Sequence, residues 1–198
     1  MTSLSTSLPH VVLEIAAYAV AGRVYARASI GGPRPERADR WLLFASAIAG
    51  AALGAKLLHV AEHWPTLVQR NEPLLWLGGK SLLGGLLGGT LGVELGKRAV
   101  RWRVPTGDPW VPALAAGIVI GRIGCQLSGT WDQTYGSPTS LPWGWNYGDG
   151  VLRHPTALYE LLAVAVLFAA VRTRWRDNPG ARFAAFLAGY CVLRFALE

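Results

Sequence analysis

The sequence predicts an all-α integral membrane protein with about six transmembrane helices and interfacial arm segments on the outer side. Three observations carry that reading. Of 198 residues, 52% are hydrophobic and 16% charged, against ~25% charged in an ordinary soluble domain. The apolar residues gather in six runs, several close to the ~20 residues that cross a bilayer as a helix. Nine tryptophans suit anchoring at the membrane–water interface. The length fits one transmembrane domain, residues 1–198, with residues 128–154 an outer-side arm within it.

The net charge of +7 would suit nucleic acid. The basic residues, however, sit in short loops between apolar runs rather than along one polar face, so no nucleic-acid partner is expected. Cys125 and Cys191 both fall in apolar segments. They read as buried packing residues, with no metal-knuckle or disulfide spacing. The first nine residues are rich in Ser and Thr and lack the basic start of a secretory signal peptide.

The runs cover residues 10–26, 40–62, 81–95, 110–127, 156–171 and 181–197. The third is the weakest span, because six glycines lie between Gly84 and Gly96. Glycine is tolerated in membrane helices where neighbours pack closely, and here the small residues recur three and four apart. No strand precedes Gly84 and Gly85 and no ribose-binding acid follows, so this is not a dinucleotide loop. The first loop carries Arg23, Arg27, Arg34, Arg37 and Arg40; the third, Lys97, Arg98, Arg101 and Arg103; the fifth, Arg172, Arg174, Arg176 and Arg182. The second and fourth hold little beyond Arg70 and Arg153. By the positive-inside rule the odd loops are cytoplasmic and both termini face outward. The fourth connection contains Trp131, Tyr135, Trp143, Trp145 and Tyr147 with Pro138, Pro142 and five glycines, the composition of a lid or interfacial arm. The second, with Trp64 and Trp76, suits the outer interface.

This topology assigns a depth to each polar residue. His10 and Glu14, then Lys56, His59, Glu62 and His63, then Lys80, Arg122, His154, Tyr159, Glu160, Arg194 and Glu198 all fall at outer helix ends. Glu94 is the one comparable residue near an inner end. The set predicts a polar cavity opening to the outer leaflet, with Lys56, Lys80, Arg122 and Arg194 facing Glu14, Glu160 and Glu198. Arg122 follows the apolar run 111–120; at mid-membrane an arginine costs at least ~2.5–3.5 kcal/mol, and such residues mark binding or reaction sites. Ion pairs of this kind can also be purely structural ties between helices. Arginine offers phosphate a planar, permanently charged fork, and histidine and carboxylate supply acid–base capacity. The cavity therefore points to an anionic phospholipid as partner.

Several motifs sharpen this. Gly121-Arg122-Ile123-Gly124 through Gly129, Tyr135-Gly136-Ser137-Pro138-Thr139, Leu141-Pro142-Trp143-Gly144, the segment from His154 to Glu160, and Leu193-Arg194-Phe195-Ala196-Leu197-Glu198 resemble, in order, the signatures of the prolipoprotein diacylglyceryl transferases. The resemblance implies transfer of the diacylglyceryl group of phosphatidylglycerol to a lipobox cysteine of a prolipoprotein, with glycerol phosphate released and no metal or soluble cofactor. It implies the bacterial cytoplasmic (inner) membrane, with the active-site cavity on the periplasmic side. Arg122 and Arg194 match the family's two functional arginines. The expected catalytic set is His154, Arg122, Arg194, Glu160, His10 and Glu14. The expected substrate-binding set is Lys56, Lys80, Gly84, Gly85, Gly121, Gly124, Gly129, Tyr135, Tyr159 and Glu198.

The chain departs from the family pattern in places. Leu83 stands where the family has a histidine before its Gly-Gly pair, and Cys125, Ser128 and Thr130 replace two asparagines and a glutamate. The first helix lacks the family's usual start, six spans stand where seven are common, and the chain stops at Glu198, where the motif normally continues. The base is then sought among His10, Glu14 and His154, with His154, at the cavity mouth, preferred. The alternatives are a paralogue moving another moiety, such as the phosphoglycerol head group, to a different acceptor, or a non-enzymatic lipid transporter. His59-Val60-Ala61-Glu62-His63 also has the inverted zinc-hydrolase spacing, with no further ligand evident.

Overall fold

The computed structural model describes residues 3–70, 76, 78–131, 134–175 and 178–197. It is mostly helical. The helices are α1 (Ser3–Ala28), α2 (Arg37–Glu62), α3 (Trp64–Arg70), α4 (Leu82–Ala99), α5 (Trp110–Leu127), α6 (Thr156–Arg174) and α7 (Ala181–Leu197). Each of the six apolar runs is a helix. Among the described residues, α2, α5 and α6 are long and apolar enough to cross a membrane. α7 has 17 residues, and the glycines of α4 contribute little hydropathy.

Two features of the connections were not expected from the sequence. The second connection contains the short helix α3, which buries Leu67. The fourth contains a 3-10 turn, Gly129–Trp131, and a two-stranded antiparallel hairpin, β1 (Trp145–Asn146) with β2 (Leu152–Arg153). Its turn is built locally. Asn146 Oδ1 accepts from the amides of Gly148 at 2.9 Å and Gly150 at 3.1 Å. Both glycines have positive φ, 101° and 81°, where a side chain is disfavoured.

The chain forms two compact units, Met1–Gly31 with Pro105–Glu198, and Gly32–Val104. In the first, α1 packs antiparallel on α5. Tyr25 stacks on Trp110 at 4.1 Å near one end, and Leu13 lies against Gly124 near the other. α6 packs on α5 and on α7. Phe186 and Tyr190 of α7 and Val164 of α6 are completely buried. Asp108 starts α7: its carboxylate accepts from the amides of Gly180 at 2.7 Å and Phe183 at 3.0 Å, which satisfies orphan donors and complements the helix dipole.

In the second unit, α2 and α4 pack antiparallel along a glycine seam. A Cβ on Gly50 would strike the Gly88 carbonyl, and one on Gly54 would strike that of Gly84. Small residues thus bring the two backbones into contact, as in close membrane helix pairs. On the outward faces of the helices, apolar side chains such as Leu53, Leu57, Leu91, Leu162, Val166 and Val192 are exposed, the pattern of a surface that meets lipid.

Candidate active site

Arg122, Glu160 and Arg194 come from three helices and meet at one end of the first unit. Arg122 lies near the end of α5, Glu160 in the second turn of α6 and Arg194 near the end of α7. Antiparallel packing brings these ends together. The Glu160 side chain is 3% exposed, Arg122 13% and Arg194 26%. Arg122 Nη2 donates to both oxygens of Glu160, at 2.9 Å to Oε1 and 2.7 Å to Oε2. Arg194 Nη1 donates to Oε2 at 3.0 Å. Tyr190, fully buried, donates its hydroxyl to Oε1 at 2.7 Å.

This geometry has a simple electrostatic consequence. One carboxylate takes four donor contacts, three from two guanidiniums and one from a tyrosine hydroxyl, so two cations are gathered at one point. Burying such a network is costly unless every member is hydrogen-bonded. Arg122, Glu160 and Arg194 line a cavity of about 660 Å³, together with Tyr135, His154, Tyr159 and others.

The arm positions the remaining groups. His154 is held by two backbone hydrogen bonds to the Tyr135-Gly136-Ser137 segment: its carbonyl accepts from Gly136 and its amide donates to Ser137, both at 3.0 Å. A Cβ on Gly136 would come within 2.8 Å of His154 Cβ, so glycine is required for this approach. His154 Nδ1 lies 3.2 Å from Tyr159 Oη, and the same oxygen accepts from Trp143 Nε1 at 2.8 Å. Arg153 Cζ sits 4.7 Å from the centre of the Tyr135 ring, within range for a cation–π contact. Arg153 also pairs with Asp149 at 2.6 Å. That hydrogen bond holds the Asp149 carboxyl below its ordinary pKa. Tyr147 donates to Gln126 Oε1 at 3.0 Å, tying the hairpin to α5. Burial raises the Tyr147 pKa, and the bond to Gln126 works against it.

Of the residues expected from the sequence, the structure brings Arg122, Tyr135, His154, Tyr159, Glu160 and Arg194 to one cavity. His10 and Glu14 lie on α1, 3.9 Å apart, and do not line it. Gly124 packs against α1, and Gly129 (φ 62°) turns the chain out of α5. Gly121 has open space where a Cβ would stand. Gly84 faces Gly54, and Gly85 lies against Ala55. Lys56 and Lys80 belong to the second unit, where Lys56 Nζ donates to the Gly78 carbonyl at 2.7 Å and Lys80 is exposed. Glu198 lies outside the described residues. Sequence reasoning missed Tyr190. Its place four residues before Arg194, on the same helix face, was the available signal.

The model of the family described as prolipoprotein diacylglyceryl transferase matches residues 11–198. Proteins named phosphatidylglycerol–prolipoprotein diacylglyceryl transferase are similar to the chain. The one from Nitratidesulfovibrio vulgaris is 35% identical over 89% of this chain and 68% of its own length. That from Geobacter sulfurreducens is 33% identical over 96% and 75%, and that from Rhodococcus jostii 31% over 77% and 50%. The chain thus spans between half and three quarters of the length of these relatives. A family match over nearly the whole chain, with a relative 35% identical over 89% of it, shows that the chain belongs to the prolipoprotein diacylglyceryl transferase family.

Proposed function

We propose that this protein is a multi-pass enzyme of the bacterial inner membrane. It transfers the diacylglyceryl group of phosphatidylglycerol to the cysteine thiol of a prolipoprotein. Six helices span the bilayer as one domain, with both termini and the cavity on the periplasmic side and the 128–154 arm at that interface. The basic loops support this orientation.

The observation that carries the reading is that Arg122 and Arg194 converge on Glu160 and both line the cavity. The lipid phosphate docks there. The acceptor sulfur attacks the glycerol carbon that bears the phosphate. A carbon–sulfur bond forms, the carbon–oxygen bond breaks, and glycerol phosphate leaves with the electron pair. Negative charge builds on the departing phosphate, and the two fixed guanidiniums stabilise it where it develops. No soluble cofactor enters this balance.

The thiol proton needs an acceptor. His154 fills that role, since it lines the cavity and Leu83 occupies the family's histidine position. With Nδ1–H donated to Tyr159 Oη, its Nε2 carries the lone pair. Tyr159, fixed by Trp143, orients the ring.

The test is a transfer assay with purified protein, phosphatidylglycerol and a lipobox peptide. His154→Gln is expected to lower kcat about 10²–10⁴-fold, the usual worth of a general base, with little change in KM for lipid. Full activity in that variant would place the base elsewhere. Cysteine-accessibility mapping should label positions in the arm from outside the cell and positions in the 101–104 loop only after permeabilisation.

A further inference from the structure

A cluster in the Gly32–Val104 unit takes no part in the transfer chemistry. At the end of α2, His59, Glu62 and His63 stand three and four residues apart on one face. Their ligand atoms lie within 4.8 Å of one another. We propose that this face binds one divalent transition-metal ion of the zinc class, which clasps the end of α2 to the segment entering α4.

Two of the three donors already have the outer partner that a ligand needs, and the third is held by packing. His63 Nδ1 lies 3.1 Å from the His59 carbonyl. With the proton on Nδ1, Nε2 is the metal-binding nitrogen, the arrangement usual for ligating histidines. Glu62 Oε1 accepts from Ser81 Oγ at 3.2 Å, which orients the carboxylate and leaves Oε2. The His59 ring is pressed against Gly79, whose φ is 68°; a Cβ there would overlap the imidazole. The segment carrying Gly79 and Ser81 is itself docked on α2, by Ser81 N to Ala55 O at 3.0 Å and by Lys56 Nζ to Gly78 O at 2.7 Å.

The donor set names the ion. Two imidazoles and one carboxylate suit zinc, copper or nickel better than magnesium or calcium, which prefer oxygen. Bonds of about 2.1 Å to a tetrahedral ion place ligand atoms about 3.4 Å apart. The present spacing is wider than that, and Glu62 and His63, both exposed, have room to close on an ion. A water completes the fourth position. Ser81 N-caps α4, its hydroxyl accepting from Gly84 N at 3.4 Å, so fixing Glu62 on Ser81 also fixes the α4 entry.

The probe is zinc itself. The full chain, purified in detergent and stripped with a chelator, is titrated with Zn²⁺ and, separately, Co²⁺, with metal content, thermal midpoint and visible absorption as readouts. Expected are one zinc per chain, a raised midpoint, and a cobalt spectrum of four- or five-coordinate type. His63→Gln and Glu62→Gln, both at exposed positions, should each weaken binding roughly 10–100-fold and remove the thermal shift. His154→Gln should leave the stoichiometry at one. Failure to retain zinc, or unchanged binding in His63→Gln, overturns the proposal, as does loss of the ion in His154→Gln. None of these readouts depends on transferase activity.

Discussion

The two units hold their helices together by different means. In the Gly32–Val104 unit, α2 and α4 meet through glycine backbones, with Gly50 and Gly54 against Gly88 and Gly84. The one buried charge among the described residues of that helix pair, Lys97, lies beyond the paired glycines and is matched by Glu94. In the other unit, the ends of α5, α6 and α7 are joined by Glu160, which two arginines and a buried tyrosine share. The glycine seam costs little and binds nothing polar. The charged junction is expensive to bury and lines a cavity. On the proposed reading the difference separates scaffold from site: small residues suffice for adhesion between helices, while ionisable groups inside apolar helices are the usual mark of a functional site.

The sharpest way to break this comparison is at the arginines. Arg122→Ala and Arg194→Ala should each reduce transfer below detection while the protein still inserts and folds; full activity in either, measured with phosphatidylglycerol and a lipobox peptide, removes the phosphate clamp. Next in size is Glu160→Ala, which leaves two guanidiniums facing each other. Breaking a buried pair in this way costs about 3–5 kcal/mol, read as a lowered thermal midpoint in detergent together with lost activity. At the glycine seam, Gly88→Leu forces a side chain into the α2 backbone and should destabilise by about 1–3 kcal/mol. The seam's role as scaffold predicts that whatever Gly88→Leu protein remains folded keeps a normal KM for lipid. Tyr190→Phe removes one of four contacts to Glu160, a loss of about 1–3 kcal/mol for a buried charged acceptor. Its mark should be a kcat decrease without change in expression. The smallest effect is expected from Asp108→Ala, which removes the α7 cap for about 1 kcal/mol, visible only in thermal unfolding.

The helices were legible because the apolar runs and basic loops repeat along the chain; all six runs appear as α-helices, five within a few residues and the first starting seven residues earlier, at Ser3. Arg122, Glu160 and Arg194 were legible for the same reason: an ionisable residue inside an apolar run is conspicuous. Tyr190 was not, because a tyrosine in such a run looks like packing until its hydroxyl is found on Glu160. The hairpin was not, because its register rests on Asn146 and Asp149 accepting local amides, and Pro- and Gly-rich composition alone does not specify that. Gly84 was read in part for substrate binding, and its place opposite Gly54 depends on which helix is its neighbour, information that lies outside its own segment.

The central claim is that the cations hold a phosphate that leaves while the diacylglyceryl group moves. Phosphatidylglycerol labelled separately in the acyl chains and in the glycerol head group, incubated with the purified protein and a lipobox peptide, tests it directly. The account predicts acyl label on the peptide cysteine and head-group label in soluble glycerol phosphate, with both signals lost in Arg122→Ala. Head-group label on the acceptor, or acyl transfer undiminished in Arg122→Ala, would contradict it.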